Sequence, residues 1–369
     1  MKIGVLTFHK SHNYGAFLQC YCLTHFLTER GYDVEIIDFN NIAPSGYSIK
    51  WSRNPIKCYH MIKRYRMFNK QQSILRLSSP EIISGDSEEL REYVYGKYDL
   101  IIAGSDEIWR LAGGFRDTPN VYWLPGDMHC RKMAYAISSR GDFSTLNEKQ
   151  REGVRNCLKD FSFISLRDRY SKEQIQTMTD KKVHLCCDPT FLYDLRGDKE
   201  KGRQLLHNKY GVDSSKHIIG IMGMEPEVVK ALKKSLGNSI SIVSLYDYNA
   251  GIVNALDLTP FEWIDAIAAL DFMFTNYFHG MCFAIQNNTP FCAIDRREQI
   301  IERGKMYDLL DIYDMLDRFF TRNDADYVSK AIECFNNSES SVDFSSTVLE
   351  LKKTAEPFVN YLNKMEQKS

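Results

Sequence analysis

The stretch 271–295, DFMFTNYFHGMCFAIQNNTPFCAID, contains a complete strand, loop, helix and strand. Residues 271–276 are apolar and short, as in a buried strand, and the small and apolar residues 280–286 favour a buried helix. Pro290 ends the helical pattern, and residues 291–294 form the next strand. Two buried strands joined through a helix are typical of a parallel sheet, so we predict an α/β fold.

His279 falls between the carboxyl end of the first of these strands and the amino end of the helix. Ligands bind at this position in α/β sheets, and free backbone N–H groups and the helix dipole favour an anion there. A histidine can give or take a proton near neutral pH. The stretch therefore predicts an acid–base residue beside an anion site. The alternative is that His279 is a packed, hydrogen-bonded residue without a catalytic role.

The composition is that of a soluble globular protein, and it excludes several classes of partner. The 369 residues include 47 Lys and Arg and 48 Asp and Glu, for a net charge of −1. This balance predicts no nucleic-acid partner and requires any anion site to be a local cluster. The ten cysteines have no metal-like spacing, so we expect no metal and interpret them as reduced thiols of a cytoplasmic protein. No apolar run approaches the ~20 residues that span a bilayer.

The N-terminus begins with a βαβ pattern. Residues 2–8 form an apolar strand, residues 17–30 have helical periodicity, and residues 33–39 form a second strand. The loop between the first strand and the helix contains one glycine, Gly15, and lacks the G-x-G-x-x-G fingerprint. This absence argues against NAD and FAD as cofactors.

Two later strand ends in the N-terminal half carry polar residues. Small and polar residues beginning at Ser105 follow one strand, where Asp106 and Glu107 can bind sugar hydroxyls and Trp109 can stack on a sugar face. The alternative is that Ser105 or Asp106 caps a helix above a packed Trp109. Arg167 follows another strand and precedes a helix, a position that suits a carboxylate or a phosphate.

Residues 57–70, KCYHMIKRYRMFNK, are basic and aromatic. One interpretation is a surface that meets an anionic or lipid-linked substrate, which would place a cytoplasmic protein at the inner face of the membrane through peripheral contact. The other is an ordinary surface helix with a solvated basic side. We favour the second, because charge runs are usually solvated.

The length of the chain suits two domains. The charged, strand-poor segment 194–215 separates two sets of strands. We therefore predict an N-terminal Rossmann-like domain over 1–195, a C-terminal one over 196–345, and a final helix within 346–369. Two such domains in tandem would face each other across a cleft, as in enzymes that bring a donor and an acceptor together.

Several different short motifs lie along the chain in a defined order. They are 13–19 (NYGAFLQ), 99–106 (DLIIAGSD) with Trp109, 165–168 (SLRD), 187–190 (CDPT), 275–280 (TNYFHG) with 290–291 (PF), and Arg303 before 309–310 (LL). In this order and spacing they resemble the polysaccharide pyruvyl transferase family over most of the chain. The resemblance implies a GT-B-like fold whose final helix crosses back to the first domain.

The resemblance also implies an activity. Pyruvate would move from phosphoenolpyruvate onto two hydroxyls of a sugar in a polysaccharide or its precursor, forming a cyclic ketal and phosphate. Phosphoenolpyruvate is then a co-substrate, no cofactor is needed, and the acceptor is a sugar or a lipid-linked oligosaccharide. Arg167 and His279 match the family's arginine and histidine and are the expected catalytic residues.

The expected binding residues combine this match with the positions of loops and strand ends. On the donor side they are Arg167, Tyr277, Phe278, Gly280 and Arg303. On the acceptor side they are Asn13, Tyr14, Gly15, Ser105, Asp106 and Trp109. Some family members have an arginine where this chain has Tyr277, so Arg303 or backbone N–H groups would have to compensate for that missing cation.

Two other functions stay open from the sequence. The first is a sugar-nucleotide-dependent glycosyltransferase on the same fold, which would bind a nucleoside diphosphate sugar in place of phosphoenolpyruvate. The second is a non-catalytic glycan-binding protein, which would bind a glycan without turnover.

Overall fold

The computed structural model describes residues 1–40, 52–111, 118–295, 304–338 and 342–367. The chain divides into two compact units. The first unit comprises Met1–Ser48, Gln72–Asp194 and Glu350–Ser369, and the second comprises Ile49–Gln71 and Leu195–Leu349. The division differs from the sequence-based domains in two places, because residues 52–71 lie in the second unit although they precede most strands of the first, and residues 346–349 also lie in the second unit.

The first unit is built on parallel strands. They are β1 (Lys2–Leu6), β2 (Asp33–Ile36), β3 (Phe39–Asn40), β4 (Ile82–Ile83), β5 (Leu100–Ala103), β6 (Arg131–Ile137), β7 (Phe161–Leu166) and β8 (Val183–Leu185). Six of them form one sheet in the order β2-β1-β5-β6-β7-β8, and β3 pairs with β4. The chain leaves β1 toward β2 on one side and returns to β5 on the other. The carboxyl ends of β1 and β5 therefore border a topological switch point, where α/β sheets bind ligands.

Helices cover both faces of this sheet. They are α1 (Tyr14–Thr28), α3 (Ser87–Val94), α4 (Glu148–Asp160), α5 (Arg169–Gln176) and α13 (Glu356–Glu366). Helix α1 is buried on most of its surface, which fits its nearly continuous apolar sequence. Asn13 begins it: the Asn13 Oδ1 atom accepts hydrogen bonds from the N–H groups of Gly15 (2.8 Å) and Ala16 (3.4 Å).

The C-terminal segment contains two helices, not the single one expected within 346–369. Helix α12 spans Ser345–Lys353, and α13 follows after a break at Thr354 and Ala355. The reason is Pro357, which lies in the first turn of α13, the only part of a helix that tolerates proline without losing a hydrogen bond. Phe358 and Leu362 of α13 are buried in the core of the first unit, beside Tyr135.

The second unit has a six-stranded parallel sheet. Its strands are β9 (His217–Met222), β10 (Ile240–Ser244), β11 (Val253–Asn254), β12 (Phe272–Thr275), β13 (Phe291–Asp295) and β14 (Phe319–Thr321). The order β11-β10-β9-β12-β13-β14 is the Rossmann order 3-2-1-4-5-6. The switch point lies between β9 and β12, so the residues after Met222 and Thr275 flank it.

The helices of the second unit include one from the first half of the sequence. They are α2 (Pro55–Gln71), α6 (Lys199–Tyr210), α7 (Pro226–Leu236), α8 (Pro260–Ala268), α9 (Phe278–Gln286), α10 (Lys305–Ile312), α11 (Tyr327–Asn336) and the start of α12. The strand–helix–strand prediction for 271–295 is confirmed by β12, α9 and β13. Helix α9 begins at Phe278, two residues earlier than expected, so His279 lies in the first helical turn.

Candidate active site

The first turn of α9 carries His279 at the switch point of the second unit. The cap residue Tyr277 has extended backbone angles (φ −101°, ψ 125°), and no side chain of the described residues caps the helix by hydrogen bonding. The Tyr277 N–H instead bonds back to Thr275 Oγ1 (3.0 Å). The first N–H groups of a helix have no partner within it, and the positive end of the dipole favours an anion. The geometry therefore offers anion-binding donors beside a partly exposed histidine.

Two glycines bring backbone close to this turn. A Cβ on Gly280 would lie 2.8 Å from Thr275 Oγ1 and 2.9 Å from Met222 Sδ, so α9 approaches the ends of β9 and β12 at a distance that only glycine permits. Gly223, directly after β9, has φ +69°, and a Cβ there would overlap the side chain of Asn276. The predicted site residue Gly280 thus has a packing role that fixes where His279 lies.

Tyr277 belongs to an aromatic pair. Its ring centre lies 4.1 Å from that of Tyr246, which follows β10, and its hydroxyl donates to Asp247 Oδ2 (3.2 Å). Tyr277 and His279 are partly exposed, but Phe278 is only 5% exposed and makes an edge contact with the His279 ring (5.4 Å between centres). Because the Phe278 ring is buried, only the backbone of this residue can face a ligand, and its part in donor binding stays a prediction.

Helix α2 adds a cation to the same region. The Arg64 guanidinium carbon lies 3.9 Å from the centre of the Tyr246 ring, and Nη1 donates to the Tyr246 carbonyl (3.0 Å). Lys63 of the same helix pairs with Asp257 (3.3 Å). Sequence reasoning missed Arg64, since nothing in the sequence places α2 in the second unit.

In the first unit, Arg167 lies at the centre of a buried network. Its side chain is fully buried. Nε donates to Ser138 Oγ (2.8 Å), Nη1 to Asp188 Oδ2 (2.5 Å), and Nη2 to Asp106 Oδ1 (3.0 Å). Nη1 also reaches Ser105 Oγ (3.3 Å). Burial by itself would lower the pKa of Arg167, but the carboxylates of Asp188 and Asp106 outweigh burial and raise it.

This network bears on the prediction that Arg167 binds the donor, which stays a prediction. A donor anion would have to replace the Asp188 and Asp106 carboxylates that already neutralise the guanidinium, and the Arg167 side chain has no exposed surface. Arg167 instead joins the loops after β5, β6 and β8. Asp188 was not assigned a role from sequence, although its position before Pro189 at a strand end was visible.

The predicted acceptor residues at 105–109 differ in exposure. Asp106 is partly exposed, with φ +87°, an uncommon angle for a residue other than glycine. Ser105 is buried, and its Oγ donates to the Ala136 carbonyl (2.7 Å). Trp109 is fully buried and stacks on Trp123 at 4.3 Å between ring centres. The expectation that Trp109 stacks on a sugar is therefore wrong, and no helix begins at Ser105 or Asp106.

The residues expected from the first loop also divide. Asn13 is partly exposed and caps α1, whereas Tyr14 and Gly15 are buried in its first turn, and the Tyr14 ring is only 1% exposed. A residue of the same motif, Gln19, has a role that sequence reasoning missed. Its Nε2 donates to Thr7 Oγ1 (3.1 Å), and its Oε1 accepts from the Ser105 N–H (3.2 Å), which joins the loops at the switch point of the first unit.

A charged cluster lies beside this loop at the end of β1. The His9 ring contacts the Thr7 carbonyl through Nδ1 (3.0 Å) and Asp38 Oδ1 through Nε2 (2.9 Å). Lys10 Nζ also donates to Asp38 Oδ2 (3.0 Å), so two basic side chains contact this carboxylate. Burial would raise the pKa of Asp38, but hydrogen bonds from His9 and Lys10 outweigh it and lower the pKa.

The remaining predictions concern Arg303, metal binding and membrane contact. Arg303 lies outside the described residues. Within the described ranges, no group of His, Cys, Asp and Glu side chains is arranged to hold a metal ion. No helix in the described part of the chain is long and apolar enough to cross a membrane. Helix α2 exposes Ile56 and Tyr59, but the membrane contact expected for 57–70 stays a prediction.

The fold is shared with solved structures of low sequence identity. One is a putative UDP-N-acetylglucosamine 2-epimerase from Listeria monocytogenes, with 9% identity and a TM-score of 0.56, covering 100% of this chain and 97% of that chain. Another is a UDP-GlcNAc 2-epimerase from Methanocaldococcus jannaschii, with 12% identity and a TM-score of 0.56, covering 99% and 100%. Together with the two parallel sheets, this likeness defines a GT-B-type α/β protein with two Rossmann-like units.

The family is shown by a sequence model. The model for polysaccharide pyruvyl transferase matches residues 13–298, more than half of the chain, so the chain belongs to that family and is a transferase. No curated protein matches the chain.

Proposed function

We propose that this enzyme transfers pyruvate from phosphoenolpyruvate onto two hydroxyls of a sugar in a polysaccharide or its precursor, forming a cyclic ketal and phosphate. The observation that carries the proposal is the first turn of α9, where a partly exposed His279 lies beside helix N–H groups at a Rossmann switch point. Phosphoenolpyruvate carries a carboxylate and a phosphate, and both groups suit donors of this kind. Family membership supports the same transfer.

The proposed chemistry begins with a proton. His279 gives a proton to the methylene carbon of phosphoenolpyruvate, which becomes a methyl group and leaves positive character on the central carbon. A sugar hydroxyl adds there and loses its proton to the histidine. The C–O bond to phosphate then breaks, a second hydroxyl adds, and its proton leaves with the phosphate. One proton thus enters the methyl group and one leaves with the product, so the step needs no redox partner.

The first unit offers fewer exposed residues for acceptor binding than the sequence predicted. Of the six acceptor residues expected from the family resemblance, Asn13 and Asp106 keep partly exposed polar side chains beside the β1–β5 switch point. We propose that the Asp106 carboxylate accepts a hydrogen bond from a sugar hydroxyl. Arg167 Nη2 donates to Oδ1 of the same carboxylate and holds the Asp106 side chain in place from the buried side.

The acceptor class and location complete the proposal. A sugar, free or linked to a lipid, supplies the hydroxyls, and the enzyme acts in the cytoplasm, as its cysteine usage suggests. A sugar-nucleotide-dependent glycosyltransferase is the second candidate, because the Tyr246–Tyr277 pair offers ring faces on which a nucleobase could stack.

Thermal unfolding tests the two candidates directly. Ligand binding to the native state raises the midpoint by mass action. We expect phosphoenolpyruvate to raise it and to release phosphate only when a sugar acceptor with two suitably placed hydroxyls is present. A midpoint raised by a nucleoside diphosphate sugar, with no response to phosphoenolpyruvate, would replace this proposal by the glycosyltransferase.

A further inference from the structure

Helix α2 supplies side chains to the second unit although its sequence is inserted between β3 and β4 of the first. The loops around the second sheet switch point come from residues after 216, whereas α2 spans Pro55–Gln71. Its inner side packs on the loop after β10: Arg64 contacts Tyr246, and the His60 ring lies 5.8 Å from that of Tyr248. The insertion therefore brings a distant part of the sequence to the candidate donor site.

The position of Arg64 relative to α9 follows from two successive ring contacts. The guanidinium carbon lies 3.9 Å from the centre of the Tyr246 ring, and the Tyr246 ring lies 4.1 Å from that of Tyr277. Tyr277 is the cap residue of α9, two residues before His279. The stacking and the hydrogen bond to the Tyr246 carbonyl fix the direction of the guanidinium, which reduces the entropy lost when it binds an anion.

A second cation approaches the same turn from α10. The Lys305 Nζ lies 5.0 Å from the centre of the Phe278 ring, the residue between Tyr277 and His279. Asp247, in the loop after β10, accepts a hydrogen bond from the Tyr277 hydroxyl (3.2 Å). Asp295 and Asp308 are buried in the same unit. The charges in this region thus include both signs, with one cation over the Tyr246 ring and the other near the Phe278 ring.

Phosphoenolpyruvate needs more positive charge than a helix N-terminus and one histidine supply, since it carries a carboxylate and a phosphate. Arg167 is neutralised within the first unit, and Tyr277 is uncharged. We propose that Arg64 and Lys305 are the donor-binding cations of this enzyme, with Arg64 binding the donor anion through a guanidinium positioned on the Tyr246–Tyr277 pair. This inference rests on the proposed function and names residues for it that the sequence did not indicate.

The test compares Arg64→Gln and Lys305→Gln with a matched control. Arg30 in the first unit makes the same kinds of contact as Arg64: its guanidinium carbon lies 3.5 Å from the Phe26 ring centre, and Nη1 donates to the Phe26 carbonyl (3.2 Å). Arg30→Gln therefore removes an equivalent stacked arginine far from α9 in sequence. The readouts are KM for phosphoenolpyruvate, KM for the acceptor, kcat and the unfolding midpoint without ligand.

We expect KM for phosphoenolpyruvate to rise about 10- to 100-fold in Arg64→Gln and in Lys305→Gln, as the loss of a charged hydrogen bond predicts, while KM for the acceptor stays within about twofold. Arg30→Gln should leave all three kinetic constants unchanged. Arg64→Lys, which keeps the charge but not the planar group, should recover part of the loss.

Three results would overturn the inference. One is an unchanged KM for phosphoenolpyruvate in both variants while the wild-type enzyme turns over, which leaves the proposed function intact. Another is a lowered unfolding midpoint with equal effects on both substrates, which would make Arg64 a packing residue. Wild-type enzyme that shows no response to phosphoenolpyruvate would remove the proposed function itself, and the donor assignment with it. Lys305→Gln keeps the test decisive if Arg64→Gln fails to fold, because Lys305 lies outside the stacked pair.

Discussion

Both units have a topological switch point, but the charged side chains and the helix N-termini beside it differ between the two units. In the first unit, the Asn13 side chain caps the N–H groups that open α1, and the guanidinium of Arg167 is buried between Asp106 and Asp188. In the second unit, no side chain of the described residues caps α9, and His279 in its first turn is partly exposed. A strand-end arginine with paired carboxylates stabilises the loops, whereas an uncapped helix end with a titratable side chain is equipped for chemistry.

Two residues that match the same family pattern can have different roles. Arg167 and His279 both match it, but their surroundings differ. The two carboxylates around the Arg167 guanidinium give this group a net charge of −1. Replacing Arg167 should therefore lower the free energy of unfolding, whereas replacing His279 should lower the rate of catalysis.

The largest expected effect is the replacement of His279. His279→Asn should lower kcat for pyruvyl transfer by ~10²–10⁴-fold, the usual contribution of general acid–base catalysis, with little change in the unfolding midpoint. The measurement is phosphate release under saturating substrates. His217→Asn is the control, because His217 is exposed on the same unit and away from α9. Full activity in His279→Asn would contradict a catalytic role for His279.

The next effect concerns Arg167 and should appear in stability. Arg167→Met leaves the buried Asp188 carboxylate and the partly exposed Asp106 carboxylate without their cation, and breaking a buried ion pair costs ~3–5 kcal/mol. Urea unfolding of the wild-type and variant proteins measures it. If Arg167→Met unfolds at the wild-type urea concentration and instead loses binding of phosphoenolpyruvate, the donor role expected from the sequence would be restored.

Gly280 tests how closely α9 must approach the sheet. Gly280→Ala adds a Cβ within 3 Å of Thr275 Oγ1 and Met222 Sδ, an overpacking that costs ~1–3 kcal/mol and displaces the turn that holds His279. Activity should therefore fall along with stability. Gly237→Ala is the control: it adds a Cβ to open space at φ +63°, so its backbone strain should lower stability without changing kcat. Equal activity in the two variants would show that α9 tolerates displacement.

The smallest effect is the acid dependence of the His9–Asp38 cluster. Because the folded pKa of Asp38 is lowered, its contribution to stability is present above the unfolded pKa and is lost as pH falls through the folded value. The stability difference between wild type and Asp38→Asn should thus stay constant from pH 6 to pH 5 and narrow below about pH 4. Urea unfolding at each pH provides the measurement, and a difference that widens in acid would contradict the lowered pKa.

Much of the fold followed from local patterns. The βαβ start, the strand–helix–strand at 271–295 and the alternation of strands and helices appear where periodicity and apolar runs predicted them, because parallel strands are buried on both sides. Boundaries moved where turns decided them, as at Phe278 and Pro357. The candidate site was predicted less completely, since exposure distinguishes Asn13 and Asp106 from Tyr14 and Trp109 and cannot be read from residue type.

The sequence by itself determined the α/β class, the family and the position of His279 at a strand-to-helix junction, because these depend on short stretches whose meaning is local. Only the tertiary structure decided which charged groups are neutralised and which helix supports which unit. Asp106, Arg167 and Asp188 are separated in sequence and meet only because β5, β7 and β8 end at the same edge of one parallel sheet. Arg64 reaches Tyr246, 182 residues away, because α2 packs on a sheet to which its neighbours in sequence do not belong.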